Sequence, residues 1–302
     1  MMELDYAVFD VFTRETFAGN PLAVVFDADE LSTGQMQTIA GEFNLSETAF
    51  VLKPDNPMHS AKLRIFTPSK ELPFAGHPTV GSAVALAQRG DADTQVDQLV
   101  TLEEKLGLVR CALKHDGAWF AELDAPALPR LIEAPLDREA FALALGLEKE
   151  DLYLDNHELT MFATGNVFVY VPIKGLEAMH RMRVDGAAIG ALAPSIDGEP
   201  AEVYAYCRET VDHTCKWHAR MFAPHMGIPE DPATGSAAVS FAGMIERFDG
   251  LADGPNVFWI EQGVEMGRPS RIRLEVSVRA KAIHSIRVGG HAVQVAEGRL
   301  RV

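Results

Sequence analysis

The chain has 302 residues, 47% of them hydrophobic and 23% charged, with a formal net charge of −16, which is the composition of a globular protein with room for two ordinary domains. So acidic a surface repels phosphate backbones and anionic lipid, arguing against nucleic-acid and membrane-surface partners. Apolar runs such as VFVYVPI are too short to cross a bilayer, and MMELDYAVFDVF lacks the basic start of a signal peptide, so a cytoplasmic protein is expected.

Residues 7–12 and 22–26 read as strands flanking the turn ETFAGNP. The segment LSTGQMQTIAGEFN then predicts a helix, with Ser32 capping it, Gln35 three positions on, and Met36, Ile39, Ala40 and Phe43 on one face. Residues 47–52 and 62–68 follow as strands. From Pro78 the chain becomes small and apolar almost all round as far as Gly90, the pattern of a helix buried on every side. Three prolines in residues 124–139 mark a join before the helix-like FALALGL. Beyond it, VFVYV reads as a strand, PATGSAAVSFAGMIERFDG as a second buried helix beginning at its proline, and IRLEVSV and HAVQVAEGRLRV as closing strands.

One short phrase occurs twice. HPTVGSA at residues 77–83 returns 154 residues later as DPATGSA at 231–237, and Gly19-Asn20 before a strand-like run is matched by Gly165-Asn166 before another. Two features in the same order favour an internal repeat, one copy per domain. Glycine and serine at a buried helix start leave backbone N–H groups open to an anion, although such glycines equally allow tight packing. His77 and Asp231 stand before proline, where the backbone favours an extended form, so each is read as lying just ahead of its helix at the mouth of a cleft. An ordinary N-cap is the plainer role for Asp231. Glu47 shares a strand face with Ala49 and Val51, where a carboxylate is out of place unless paired or used, and burial shifts a carboxyl toward the range useful for proton transfer.

The three cysteines, Cys111, Cys207 and Cys215, lack CxxC spacing and are expected to be reduced. Cys215 lies in sequence among His213, His218 and His225, but that spacing fits no zinc signature, so no metal is expected.

GNPLAVV, NLSETAFV, RIFTPSKELPFAGHPTVGSA, EDPATGSAA and EQGVEMGRPSR, in that order, resemble the PhzF-like family of the diaminopimelate epimerase-like superfamily. The resemblance implies an α+β fold of two pseudo-symmetric domains, each a mixed β-sheet rolled around a central helix, with the active site between them. Residues 1–124 would form the first and 125–289 the second, with a strand at about 290–302 returning to the first. It also implies a cofactor-independent isomerase in which Glu47 moves a proton in a small carboxylate-bearing substrate. His77, Asp231 and Ser236 match polar pocket residues, and Gly76 and Gly235 match backbone positions that receive the substrate. Asn20 and the 262–268 loop are further contributors, and a homodimer is the family's habit. Related epimerases use two opposed cysteines, which neither repeated phrase contains. The alternatives are an isomerase or epimerase of another amino or hydroxy acid, and a binding homologue without catalysis.

Overall fold

The computed structural model describes residues 2–90, 97–196 and 198–302 as a sheet-rich α+β fold. Two compact units divide the chain: Met1–Asp124 with Gly289–Val302, and Ala125–Val288.

In the first unit, the strand Glu3–Val11 pairs antiparallel with Asn20–Val25 on one side and, on the other, with the end of the strand Ala282–Arg301, where Glu3 faces Arg301 and Val11 faces Ala292. Asn20–Val25 runs parallel to Glu47–Leu52, which is antiparallel to Ala61–Phe66, and that strand is parallel to Gln98–Glu104. An antiparallel meander through Gly107–His115 and Trp119–Asp124 returns to the C-terminal strand, so the ring of pairings closes. Parallel neighbours need crossovers, and helices provide both. The helix Thr33–Phe43 carries the expected capping box between Ser32 and Gln35, and Met36 and Ala40 pack outside the ring against Phe50 and Phe66.

The second crossover helix, Gly76–Arg89, lies inside the ring, packed against strands around it. Every residue from Gly76 to Ala85 is buried, which is why the sequence carries no polar face there. Gly81 belongs to this packing. A Cβ at that position would lie 2.6 Å from Leu22 Cδ2 and 2.7 Å from Val11 Cγ2. The helix begins at Gly76, so His77 and Pro78 are in its first turn and not ahead of it, contrary to the sequence expectation. Proline is tolerated there because its missing N–H is among the first four donors, which a helix cannot satisfy internally.

In the second unit, Arg130–Ile132, Thr160–Ala163 and Val167–Pro172 form an antiparallel meander. Val167–Pro172 is parallel to Glu202–Cys207, which is antiparallel to Trp217–Ala223, itself parallel to Gly254–Gln262, and Ser270–Arg279 follows antiparallel. The succession parallel, antiparallel, parallel is that of the first unit. The helix Gly235–Phe248 precedes the last parallel step and is packed by aromatics: Phe241 stacks on Tyr170 with centroids 5.6 Å apart and meets Tyr206 and Trp217 edge-on. Against another sheet face lie the helices Arg138–Ala144, Leu176–Arg181 and Gly186–Leu192, which bring Phe141, Met179 and Ile189 into a core with Val169, Val203 and Phe222. Relative to the repeated phrase, Gly235–Phe248 starts five residues later than its counterpart. Asp231 therefore ends the strand Ile228–Asp231, and Thr234, not Asp231, is the N-cap residue.

Enclosure has one electrostatic consequence in the first unit. Glu104 is buried, with Oε1 2.7 Å from Thr79 Oγ1, which is also 2.7 Å from the Ala75 carbonyl. The Thr79 hydroxyl has one proton, for which the Ala75 carbonyl and the Glu104 carboxyl compete as acceptors. Burial pushes the Glu104 carboxyl up to about 8, with the Thr79 hydroxyl opposing the shift in part. The folded state then binds more protons than the unfolded state above the ordinary carboxyl range, so stability is present below about pH 4.5 and is lost as pH rises through 8. Replacement Glu104→Gln keeps a donor and an acceptor without the charge. Denaturant midpoints should fall between pH 6 and pH 9 in the parent and fall less in the variant, which becomes the more stable protein at pH 9.

Candidate active site

Three of the residues expected to act in chemistry come together in the first unit. Gly19 adopts φ +66°, and a Cβ there would collide with the Val11 carbonyl oxygen, so only glycine makes this turn and delivers Asn20 to the head of its strand. Asn44 closes the helix Thr33–Phe43 in the left-handed region at φ 51° and leads into Glu47, the first residue of a strand in parallel register beside Leu22. His77 comes from the first turn of the enclosed helix, next to Gly76, its first residue. His77 Nε2 lies 3.6 Å from Glu47 Oε2, and Nδ1 lies 3.3 Å from Asn20 Nδ2. Asn20 is fully buried, His77 4% exposed and Glu47 9% exposed. Thr48 is buried as well as Ala49, so the strand is covered on both faces and period two does not single out Glu47.

Burial depresses the His77 pKa to about 3, and the Pro21 carbonyl, which favours a proton on the ring, offsets this only in part. The imidazole is neutral at physiological pH. The Asn20 amide lies against Nδ1, and Nε2 faces the Glu47 carboxyl at 3.6 Å, a contact longer than a hydrogen bond. A neutral ring beside the carboxyl creates no buried ion pair.

A second cluster lies in the other unit. Thr234 Oγ1 donates to Asp231 Oδ2 at 2.6 Å, Gln262 Nε2 donates to the Asp231 carbonyl at 2.7 Å, and Gln262 Oε1 accepts the Thr234 N–H at 3.2 Å. All three residues are buried. Gly263, at φ +76°, follows Gln262 so closely against the chain that a Cβ would lie 2.6 Å from the Pro232 carbonyl oxygen. Gly235, buried, and Ser236, half-buried, open the helix Gly235–Phe248. Neither this helix nor Gly76–Arg89 has a side-chain hydrogen bond from its N-cap residue.

The repeated phrases are not used alike. Ser82 is buried at the seventh position of its helix, whereas Ser236 is at the second. Asn20 is buried against His77, but Asn166 is exposed and donates to Glu202 Oε1 at 2.8 Å. No role for Thr234 emerges from the sequence alone. Its signal was a hydroxyl residue three positions after an aspartate in a proline-containing turn, the usual spacing of local side-chain caps.

The phenazine biosynthesis-like protein family (PhzC-PhzF) matches residues 9–298. Over 303 residues the chain is 51% identical to an uncharacterized isomerase of Mesorhizobium japonicum, covering 99% of each chain. It is 36% identical over 295 residues to the trans-2,3-dihydro-3-hydroxyanthranilate isomerase of Pseudomonas aeruginosa, covering 97% of this chain and 98% of the relative. A PhzF-family phenazine biosynthesis protein of Bacillus anthracis superposes with a TM-score of 0.90 at 28% identity over 100% of both chains. The likeness to a hydroxyproline epimerase of Agrobacterium vitis, TM-score 0.61 at 12% identity over 99% of this chain and 91% of the epimerase, is one of fold.

Two measurements follow from the geometry. NMR of the His77 ring should show no titration from pH 5 upward. Since the folded pKa is below the ordinary histidine value of 6.5, the unfolded state binds the extra proton and His77 destabilises the fold as pH falls from about 6.5 toward 3. Removing the hydroxyl in Thr234→Val should lower unfolding stability by about 1–3 kcal/mol in denaturant titration, the cost of leaving buried partners unsatisfied.

Proposed function

The chain belongs to the phenazine biosynthesis-like (PhzC-PhzF) family and is an isomerase-class enzyme, and we propose that it moves a proton within a small carboxylate-bearing substrate, without a cofactor, through Glu47. The observation that carries this reading is the buried Glu47 carboxyl facing a neutral His77 at 3.6 Å. Glu47 removes an acidified C–H proton, the bonding pair moves into the conjugated system of the substrate, and the same carboxyl returns the proton at another carbon. The reaction is balanced with no external acceptor. His77 holds the carboxyl in position, and Asn20 holds His77. Backbone N–H groups at Gly76 and Gly235 stabilise developing oxyanion charge, and Asp231 and Ser236 bind an amine or hydroxyl of the substrate.

Several features support this choice. The acidic chain, at −16, needs local donors to hold an anion, and two helix starts without side-chain caps offer them. Thiol bases are a poorer reading, since burial pushes Cys207 up to about 12 and Cys215 up to about 11. Among the described residues no helix is long and apolar enough to cross a membrane. A homodimer in the cytoplasm and a pair of pseudo-symmetric domains, supported by the shared pairing succession, complete the proposal.

The test incubates the protein in D2O with trans-2,3-dihydro-3-hydroxyanthranilate and a panel of small amino and hydroxy acids, following isomer formation and deuterium uptake by NMR. One compound should be converted, and Glu47→Gln, folded by circular dichroism, should lose at least about 100-fold in kcat. Parental turnover by that variant would sink the assignment of Glu47. Tight binding of a panel compound with no exchange would favour a binding homologue.

A further inference from the structure

Apart from the residues proposed for chemistry, the second unit gathers His180, His218 and Glu265 from three separated segments: the helix Leu176–Arg181, the strand Trp217–Ala223 and the loop after Gly254–Gln262. Glu265 Oε1 lies 3.0 Å from His218 Nε2 and 3.3 Å from His180 Nε2, and one donor atom from each residue falls within 4.8 Å of the others. Ligand bonds of about 2.0–2.1 Å in a tetrahedral site put neighbouring ligand atoms about 3.3 Å apart, close to these separations.

His218 carries a second feature of a metal ligand. It is fully buried, and its Nδ1 is 2.6 Å from Glu261 Oε1, while the Glu261 carboxylate also accepts the N–H groups of Val211 at 2.6 Å and Asp212 at 2.7 Å. A carboxylate fixed in this way sets the ring orientation and places the proton on Nδ1, leaving Nε2 as the lone-pair donor. Glu265 adds a third observation: its Oε2 is buried and makes no hydrogen bond among the described residues. The Arg220 guanidinium is 4.0 Å from that oxygen but is held by Glu230 at 2.8 Å and by the Met179 carbonyl at 2.6 Å.

We propose that His180, His218 and Glu265 bind a divalent transition metal of the zinc class, with Glu261 orienting His218. Two imidazoles and one carboxylate suit zinc and leave a fourth position for water, and half-exposed His180 gives access from solvent. The cation would tie the loop bearing Glu265 to a strand and a helix. That loop follows Gln262, which holds the backbone of Asp231, so the metal has a positioning role there. None of its three ligands is a residue proposed for the isomerase chemistry. The site also differs from the group suggested by sequence spacing, since it takes His218 without Cys215, His213 or His225.

The same distances are met without metal if His218 is an imidazolium between two carboxylates, so the experiment must separate the two. The full chain, stripped with a chelator, is titrated with zinc by calorimetry and with cobalt(II) by absorption. One zinc per chain at micromolar concentration is expected, with four-coordinate cobalt bands. His180→Ala, at a half-exposed position, and Glu265→Gln should each weaken zinc binding at least about tenfold and abolish the cobalt bands, while His225→Ala changes neither. Absence of zinc binding by the parent, or parental affinity in His180→Ala, overturns the proposal. Zinc lost on Cys215→Ala but kept in His180→Ala would place the ion elsewhere and overturn it equally.

Discussion

Burial of a helix on every side is the constraint from which the first unit follows. Inside a closed ring of strands, no turn of Gly76–Ala85 can turn a polar face to solvent, so each polar group on it must be neutral, internally paired, or both. Thr79 is paired with Glu104, whose carboxyl burial holds protonated over the acidic and neutral range. His77 is stripped of charge and anchored by Asn20. Tight glycines serve the same end: Gly81 lets the helix approach Leu22 and Val11, and Gly19 lets the chain turn sharply enough to bring Asn20 to the ring.

The second unit meets a similar constraint by different means. Its helix is surrounded by Tyr170, Tyr206 and Trp217 around Phe241, and the polar group at its approach is settled before the helix begins. Asp231 stays at a strand end, clamped through its side chain by Thr234 and through its backbone by Gln262. A five-residue offset in helix start thus changes what a repeated phrase presents: a neutral imidazole inside a first turn in one case, and a hydrogen-bonded carboxyl before the helix in the other. Similar words in a sequence fix neither the position of a helix start nor the environment of the residue at the head of the word.

Much was readable along the chain because it depends on neighbours in sequence. The Ser32 and Gln35 capping box, the strand Glu47–Leu52, the all-round apolar helix ending at Gly90, and the ordered family motifs each rest on short-range spacing. By themselves these residues determined the mixed α+β character, the family, and Glu47, His77 and Asp231 as candidates for chemistry. Where Gly76–Arg89 starts, why Asn20 and Asn166 differ, and the role of Thr234 were decided only by tertiary packing, as was the meeting of His180, His218 and Glu265. The physical reason is that desolvation and approach between distant segments depend on which surfaces close over a group, and a group's own neighbours in sequence do not carry that information.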